Sequence, residues 1–197
     1  MKLYHGTSTK HLDKILTDGI KPTGVTGVKS LWEVESAKDR VYLTTTYALY
    51  FAIHAAMKDE CDAVVIEVDV DENQLIPDED FLAQVKYKDS EHDLITLTEL
   101  IRDNDIPNYS EFDTIQLAEA SLNNLGTVSI KEVKPEQIIR YVTVPNHHLA
   151  DIVMSHCDPT ISIMHHKVMS TVYKENMLAL FDQYPTSVAV TTSGICQ

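Results

Sequence analysis

The chain has 197 residues, of which 44% are hydrophobic and 23% are charged, and its formal net charge is −14 at pH 7. This composition is that of a folded globular protein, so it argues against a disordered chain, and the apolar runs are too short to span a membrane. The acidity argues against a broad nucleic-acid-binding surface, because such a surface needs clustered Lys and Arg.

The length fits one domain, which we expect over residues 1–145, with residues 146–197 as a helical C-terminal extension packed on it. The cysteines are scattered and lack CxxC spacing, so they indicate neither a disulfide framework nor a zinc site. They are Cys61, Cys157 and Cys196. The N-terminus lacks the charged start and apolar stretch of a signal peptide. We therefore expect a cytoplasmic protein with free thiols and no membrane contact.

The first predicted elements are a strand, a helix and a long loop. Residues 2–5 form a short apolar strand, and Ser8 or Thr9 can cap a helix that ends at Gly19. The stretch 22–40 has two glycines and no clean period, so we predict a loop with room for one turn of helix, long enough to act as a flap.

A second strand and helix follow. Residues 41–43 have strand character, and the threonines at 44–46 can cap a helix that runs to about Met57. The clearest strand lies in DAVVIEVDVDENQL, where alternate apolar residues share one face and Glu67 and Asp69 point to the other.

The second half mixes helices and strands. Residues 80–112 are acidic and polar, with Leu94, Leu97 and Ile101 at helical spacing, and a further helix ends near Gly126. TVSIKEV and QIIRYVTV are predicted strands on either side of Pro135.

From Asn146 onward the pattern is helical, and four apolar residues at helical spacing form a stripe that indicates packing on the domain or an oligomer contact. They are Ile161, Met164, Val168 and Val172. Helices and strands do not alternate regularly along the chain, which predicts an α+β fold.

The motif LYHGTS at 3–8 is the first candidate site. A His-Gly pair alone is as typical of a turn as of a pocket wall. Here a helix ending in Gly-Ile-x-Pro follows, then VYLTT, and then a helix that carries tyrosines. Together, residues 3–56 resemble the ADP-ribosyltransferase superfamily, specifically its diphtheria-toxin and poly(ADP-ribose) polymerase branch with the His-Tyr-Glu signature. The resemblance implies a split β-sheet core with flanking helices.

The resemblance also implies roles for individual residues. His5 would hydrogen-bond a ribose hydroxyl of NAD, and the backbone of Gly6, next to Thr7, would hold the nicotinamide amide. Tyr42 matches the signature tyrosine, and Tyr50 matches the tyrosine that stacks on the nicotinamide ring.

Tyr47 is a lesser candidate for this stacking role. It is considered because the register of the helix that follows the strand is uncertain. Tyrosine suits the role physically, since the nicotinamide of NAD is a positively charged aromatic ring, and stacking with cation–π attraction contributes about 0.5–2 kcal/mol per ring.

A third, acidic residue is required, because breaking the glycosidic bond builds positive charge on the ribose and a nearby carboxylate stabilises that transition state. The candidates are Glu119, Glu132 and Glu136. We favour Glu119, since LAEASLNNLGTVSI resembles family members in which an acidic residue precedes a Ser-Leu pair, a Gly-containing turn and a strand. The periodicity nevertheless puts Glu119 on a helix, off its apolar stripe.

The resemblance implies an NAD-dependent ADP-ribosyltransferase that modifies a macromolecular acceptor, protein or nucleic acid, and it suits a toxin, a phage effector or a regulator alike. RNA 2′-phosphotransferases share the HGT opening, but a histidine is expected in them instead of Tyr42. A non-catalytic module that binds NAD or ADP-ribose is a third hypothesis. Histidine pairs such as His147 with His148 lack metal-ligand spacing, so we expect no metal site.

Overall fold

The computed structural model describes residues 1–29, 36–86, 114–153 and 163–188. Several sequence predictions fall outside these ranges, namely the stripe of Leu94, Leu97 and Ile101, the centre of the flap at 30–35, Cys157, Cys196 and Ile161.

Seven strands occur in the described ranges: β1 (Lys2–Ser8), β2 (Val41–Thr44), β3 (Ala63–Asp69), β4 (Ile76–Pro77), β5 (Thr127–Ile130), β6 (Ile138–Val144) and β7 (Thr186–Val188). The α-helices of these ranges are α1 (Thr9–Asp18), α2 (Thr23–Thr26), α3 (Ala48–Asp59), α4 (Glu79–Lys86), α5 (Thr114–Asn124), α6 (Asn146–Val153) and α7 (Ile163–Gln183). None of the helices in these ranges is long and apolar enough to cross a membrane.

The strands form one antiparallel sheet in the order β4-β5-β2-β1-β3-β6-β7, so the predicted α+β class is confirmed. β1 pairs with β3 along its whole length, from Lys2 opposite Asp69 to Ser8 opposite Ala63. With β2, in contrast, β1 shares a single pair of partner residues, Tyr4 and Thr44. The two halves of the sheet are therefore joined narrowly between β1 and β2.

The sequence explains the boundaries of α1. Ser8 occupies the N-cap position, as expected, but its hydroxyl donates to Asp59 Oδ2 at 2.7 Å instead of capping the helix. At the other end Gly19 has φ = 81°, a left-handed conformation that glycine adopts without steric cost. The helix thus ends at the predicted residue.

Thr44 links the end of β2 to α3. Its Oγ1 accepts from the amides of Thr46 and Tyr47, each at 3.0 Å, and donates to the carbonyl of Gly126 at 2.6 Å. The predicted threonine cap is not observed, because the N-cap position of α3 is Tyr47 and no side chain caps it; the bonds of Thr44 lie just before the helix. This linkage holds β2, α3 and β5 in one fixed arrangement.

β3 is buried on both faces. On one face, Val64, Ile66 and Val68 belong to the hydrophobic cluster that includes residues of α1 and α5. On the other face, Ala63 and Val65 belong to the cluster that includes residues of α3 and α7. Helices therefore cover both sides of the central strands.

Glu67 lies on the α3–α7 face and is fully buried, whereas Asp69, at the strand end, is exposed. The carboxylate of Glu67 is tolerated because it makes two ion pairs, at 2.7 Å from Lys2 Nζ and 2.6 Å from Arg140 Nε. The Arg140 guanidinium also lies 4.4 Å from the centre of the Phe181 ring. A buried ionic cluster thus joins β1, β3, β6 and α7.

The predicted stripe of α7 does not pack on the domain in the described ranges, and its alternative role as an oligomer contact stays a prediction. Met164, Val168 and Val172 are 73%, 68% and 49% exposed. The buried face carries other residues, His166, Tyr173, Met177, Leu180 and Phe181. The last three of these belong to the same hydrophobic cluster as residues of β1 and α3.

Candidate functional site

His5 of β1 reaches across to β2 at the narrow junction of the sheet. Its Nδ1 lies 3.0 Å from the carbonyl oxygen of Tyr42. Because a carbonyl only accepts, Nδ1 carries the hydrogen and donates, which leaves Nε2 of the neutral ring as an acceptor. Burial lowers the pKa of His5, which the Tyr42 carbonyl only partly opposes, so the ring is neutral near pH 7. No described residue hydrogen-bonds Nε2, which can therefore accept a ligand hydroxyl.

The phenol of Tyr42 is held by two groups. Its hydroxyl donates to Glu79 Oε1 and accepts from the amide of Ala37 at 3.0 Å. Glu79 is the first residue of α4, and only 7% of its surface is exposed. Tyr42 therefore has His5 on its backbone carbonyl and a buried carboxylate on its side-chain hydroxyl.

The strand order brings Glu79 to Tyr42. Tyr42 lies opposite Ser129 in the β2–β5 pair, and Ser129 in turn lies opposite Ile76 in the β5–β4 pair. Because α4 begins two residues after β4 ends, its first residue returns towards β2. Tyr42 and Glu79, which are far apart in the sequence, thus share a hydrogen bond.

The acidic surroundings keep Tyr42 protonated. Burial, followed by the negative charges of Glu79 and Asp78, raises the pKa of Tyr42 far above its ordinary value. Burial and the neighbouring Asp80 and Glu79 carboxylates likewise raise the pKa of Asp78. The Tyr42 hydroxyl is therefore a permanent donor, and it does not act as a base.

Gly6 has a packing role on β1. A Cβ atom at this position would lie 2.0 Å from the carbonyl oxygen of Ala48 and 2.6 Å from the amide of Ala52, both in α3. Glycine is thus required for the close approach of α3 to the sheet. Thr7, the next residue, is 6% exposed and pairs with Val64. The expected contacts of Gly6 and Thr7 with NAD stay predictions.

The two tyrosines of the α3 region are buried. Tyr47 is fully buried and Tyr50 is 3% exposed. The Tyr50 ring packs against Phe51 and His54, with centroid distances of 5.6 and 4.4 Å. Tyr50 therefore offers a ligand little ring face in this conformation, and its stacking on nicotinamide stays a prediction.

No described contact joins any of the three predicted glutamates to His5 or Tyr42. Glu132 pairs with Lys21 at 2.6 Å, and Glu136 is exposed in the 3₁₀ turn Pro135–Gln137. Glu119 is exposed on α5.

Glu119 instead lines a cavity of about 480 Å³ whose wall is formed by α5, α7, the turn after β2 and nearby residues. His166 of α7 lies in this wall, and its Nδ1 is 3.0 Å from the hydroxyl of Tyr47. His5, Tyr42 and Glu79 do not line this cavity. Glu119 thus faces a cavity to which the His5–Tyr42 pair does not contribute.

The buried His166 should make the stability of the fold sensitive to acid. Burial, followed by the neighbouring His165, lowers the pKa of His166. The unfolded chain, with a histidine pKa of about 6.5, then binds the proton more readily than the folded chain, so stability is lost as the pH falls below that value. We expect His166→Gln to reduce the loss of unfolding free energy between about pH 7 and about pH 5.5, measured by urea titration. The exposed-site variant His147→Gln should leave that loss unchanged; an equal effect of both variants would contradict the prediction.

The sequence reasoning missed Glu79. In PDEDFLAQ the acidic run precedes an apolar helical segment, which is the ordinary signal of a helix N-terminus. A helix does begin here, and Asp78 Oδ1 accepts from the amide of Asp80 at 2.9 Å at its start. Nothing local distinguishes a capping carboxylate from one that faces Tyr42.

Within the described ranges, no three His, Cys, Asp or Glu side chains come together in a way that could hold a metal ion. Cys61 is a free thiol. Neither a protein-family model nor a curated protein sequence matches the chain significantly.

Proposed function

We propose that the chain is an NAD-dependent ADP-ribosyltransferase, which transfers ADP-ribose to a macromolecular acceptor and releases nicotinamide. The observation that carries the proposal is the contact of His5 with Tyr42 at the narrow junction of β1 and β2. This contact joins the two residues that the His-Tyr-Glu resemblance singles out. The narrow junction also supports the split sheet that the resemblance implies.

His5 and Tyr42 would bind the nicotinamide ribose part of NAD. The Nε2 atom of His5 accepts a hydrogen bond from a ribose hydroxyl, because its Nδ1 hydrogen is already used on the Tyr42 carbonyl. Tyr42 presents its ring to the cationic nicotinamide, since its hydroxyl is engaged by Glu79 and Ala37. Each residue thus has one group committed to the protein and one available to the ligand.

The reaction needs no redox partner. The bond between ribose C1′ and the nicotinamide nitrogen breaks, and its electron pair neutralises the pyridinium. The acceptor nucleophile then forms a new bond to C1′ and releases its proton to the surroundings. Positive charge moves from the ring to the ribose in the transition state, so a nearby carboxylate accelerates the step.

The net charge bears on the class of acceptor. The net charge of −14 favours a protein acceptor, or a nucleic acid bound in a narrow groove, over a nucleic acid bound on a broad surface. A cytoplasmic location, as expected from the sequence, is part of the proposal.

Nicotinamide release tests the proposal. Purified wild-type chain is incubated with NAD, with and without cell lysate as a source of acceptor, and free nicotinamide is measured by chromatography. We expect release by the wild type and a rate lower by roughly 100-fold or more in His5→Ala, because the ribose loses its hydrogen-bond acceptor. His147→Ala, at an exposed position, is the matched control and should keep the wild-type rate. An equal, zero rate in wild type and His5→Ala would overturn the proposal.

A further inference from the structure

We infer that Glu79 is the functional carboxylate of the proposed NAD site, a positioning residue that acts through Tyr42; this inference rests on the proposed function. Glu79 Oε1 accepts from the hydroxyl of Tyr42, and the amide of Ala37 lies 3.4 Å from the same oxygen. Oε1 thus receives the Tyr42 hydroxyl and shares the Ala37 amide with that hydroxyl, so the carboxylate and the phenol are held together.

No described contact explains why the other carboxylate oxygen of Glu79, Oε2, is buried. Oε2 is buried, and among the described residues no hydrogen bond to it is formed. No described Lys, Arg or His forms an ion pair with Glu79. A buried carboxylate with a free oxygen costs stability. Such a group calls for an explanation, and a functional role is one of those that native proteins show.

A role limited to the helix terminus does not account for this geometry. An acidic residue in the first turn of α4 is favourable wherever its side chain points, because the helix dipole acts on the whole turn. Asp80, also in this first turn, is only partly buried. Glu79, unlike Asp80, is buried and directed at Tyr42.

Glu79 also fits the site better than Glu119. It is connected to His5 by hydrogen bonds through the hydroxyl and the carbonyl of Tyr42. Glu119 is exposed and lines a cavity to which neither His5 nor Tyr42 contributes.

The contact defines what Glu79 does. A charge-assisted hydrogen bond to the phenol fixes the orientation of the Tyr42 ring that would meet the nicotinamide. This orientation aids the reaction more than the binding of NAD, because a misplaced ring still attracts the cationic nicotinamide but no longer holds the bond to C1′ in the geometry for cleavage. Loss of Glu79 should therefore lower kcat more than it raises KM.

The test measures nicotinamide release at varied NAD concentration for Glu79→Ala, Glu79→Gln and the matched variant Glu119→Gln. We expect Glu79→Ala to lower kcat by roughly 30-fold or more and to change KM by less than about threefold. Glu79→Gln should recover part of this loss yet stay about threefold or more below wild type, because its amide oxygen accepts from Tyr42 without charge. Glu119→Gln should stay within about twofold of wild type.

The outcomes separate the two proposals. A wild type that releases no nicotinamide refutes the proposed function, and the role of Glu79 with it. An active wild type with Glu79→Gln at the same kcat refutes the role of Glu79 alone, and so does a large loss of kcat in Glu119→Gln. Melting temperatures show whether Glu79→Ala folds, and if it does not, Glu79→Gln decides.

Discussion

Replacing Gly6 by alanine is expected to lower the free energy of unfolding by about 3 kcal/mol, at the upper end of ordinary overpacking. The added methyl group would meet backbone atoms of Ala48 and Ala52 at 2.0 and 2.6 Å, and side-chain rotation cannot relieve a backbone clash. Helix α3 must therefore shift away from β1. Since His5 precedes Gly6, nicotinamide release should fall together with stability.

Gly27→Ala is the matched control for this variant. Gly27 has φ = 69°, but no atom lies within 4 Å of the place that a methyl group would occupy, so alanine there meets only backbone strain of about 1 kcal/mol. Urea titrations of both variants separate crowding from strain. Equal losses of stability in the two variants would show that α3 does not depend on the absence of a side chain at Gly6.

Glu67→Ala is expected to cost about 3 kcal/mol of unfolding free energy. Removing one member of a buried ion pair costs about 3–5 kcal/mol when the partner charge stays buried without a counter-charge. Here the lower end applies, because the side chains of Lys2 and Arg140 keep 63% and 36% of their surface exposed and can regain water.

The same cluster makes stability depend on pH. Burial raises the pKa of Glu67, but the hydrogen bonds and charges of Lys2 and Arg140 outweigh it, so the net pKa lies below the ordinary value. The stabilisation is therefore present above the unfolded pKa of about 4.3 and is lost as the pH falls through the folded value.

Glu67→Gln should be less stable than wild type at about pH 7 and should show a smaller loss on acidification. Denaturant titrations at about pH 7 and about pH 3.5 measure both quantities. Glu132→Gln is the control, since its ion pair with Lys21 is more exposed and surface pairs contribute little. An unchanged acid dependence in Glu67→Gln would mean that the cluster is not a source of stability.

Local patterns predicted most of the elements that border the site. The strand at 2–5 is observed as β1 (Lys2–Ser8), the strand at 41–43 as β2 (Val41–Thr44), and the helix ending near Gly126 as α5 (Thr114–Asn124). These elements were predictable because apolar period, capping residues and turn glycines act over a few residues.

Shorter or less regular elements escaped prediction. β4 (Ile76–Pro77) has two residues and β7 (Thr186–Val188) has three, too few to show an alternating pattern. Both lie at the edges of the sheet, where pairing on one side is sufficient and a proline is tolerated. Missing β4 had a consequence, because without it the sequence offers no reason to bring Glu79 to Tyr42.

The sequence by itself determined the α+β class, the main strands and the presence of His5 and Tyr42 in a motif that resembles an NAD site. Only the tertiary structure decided which carboxylate contacts the Tyr42 hydroxyl, because the order β4-β5-β2 brings Glu79 to Tyr42 while Glu119 of α5 lines a cavity elsewhere. It also buried Glu67. The physical reason is the same in both cases. Neighbours in sequence set the helix or strand to which a residue belongs, whereas strand pairing between distant segments sets the residues that its side chain contacts.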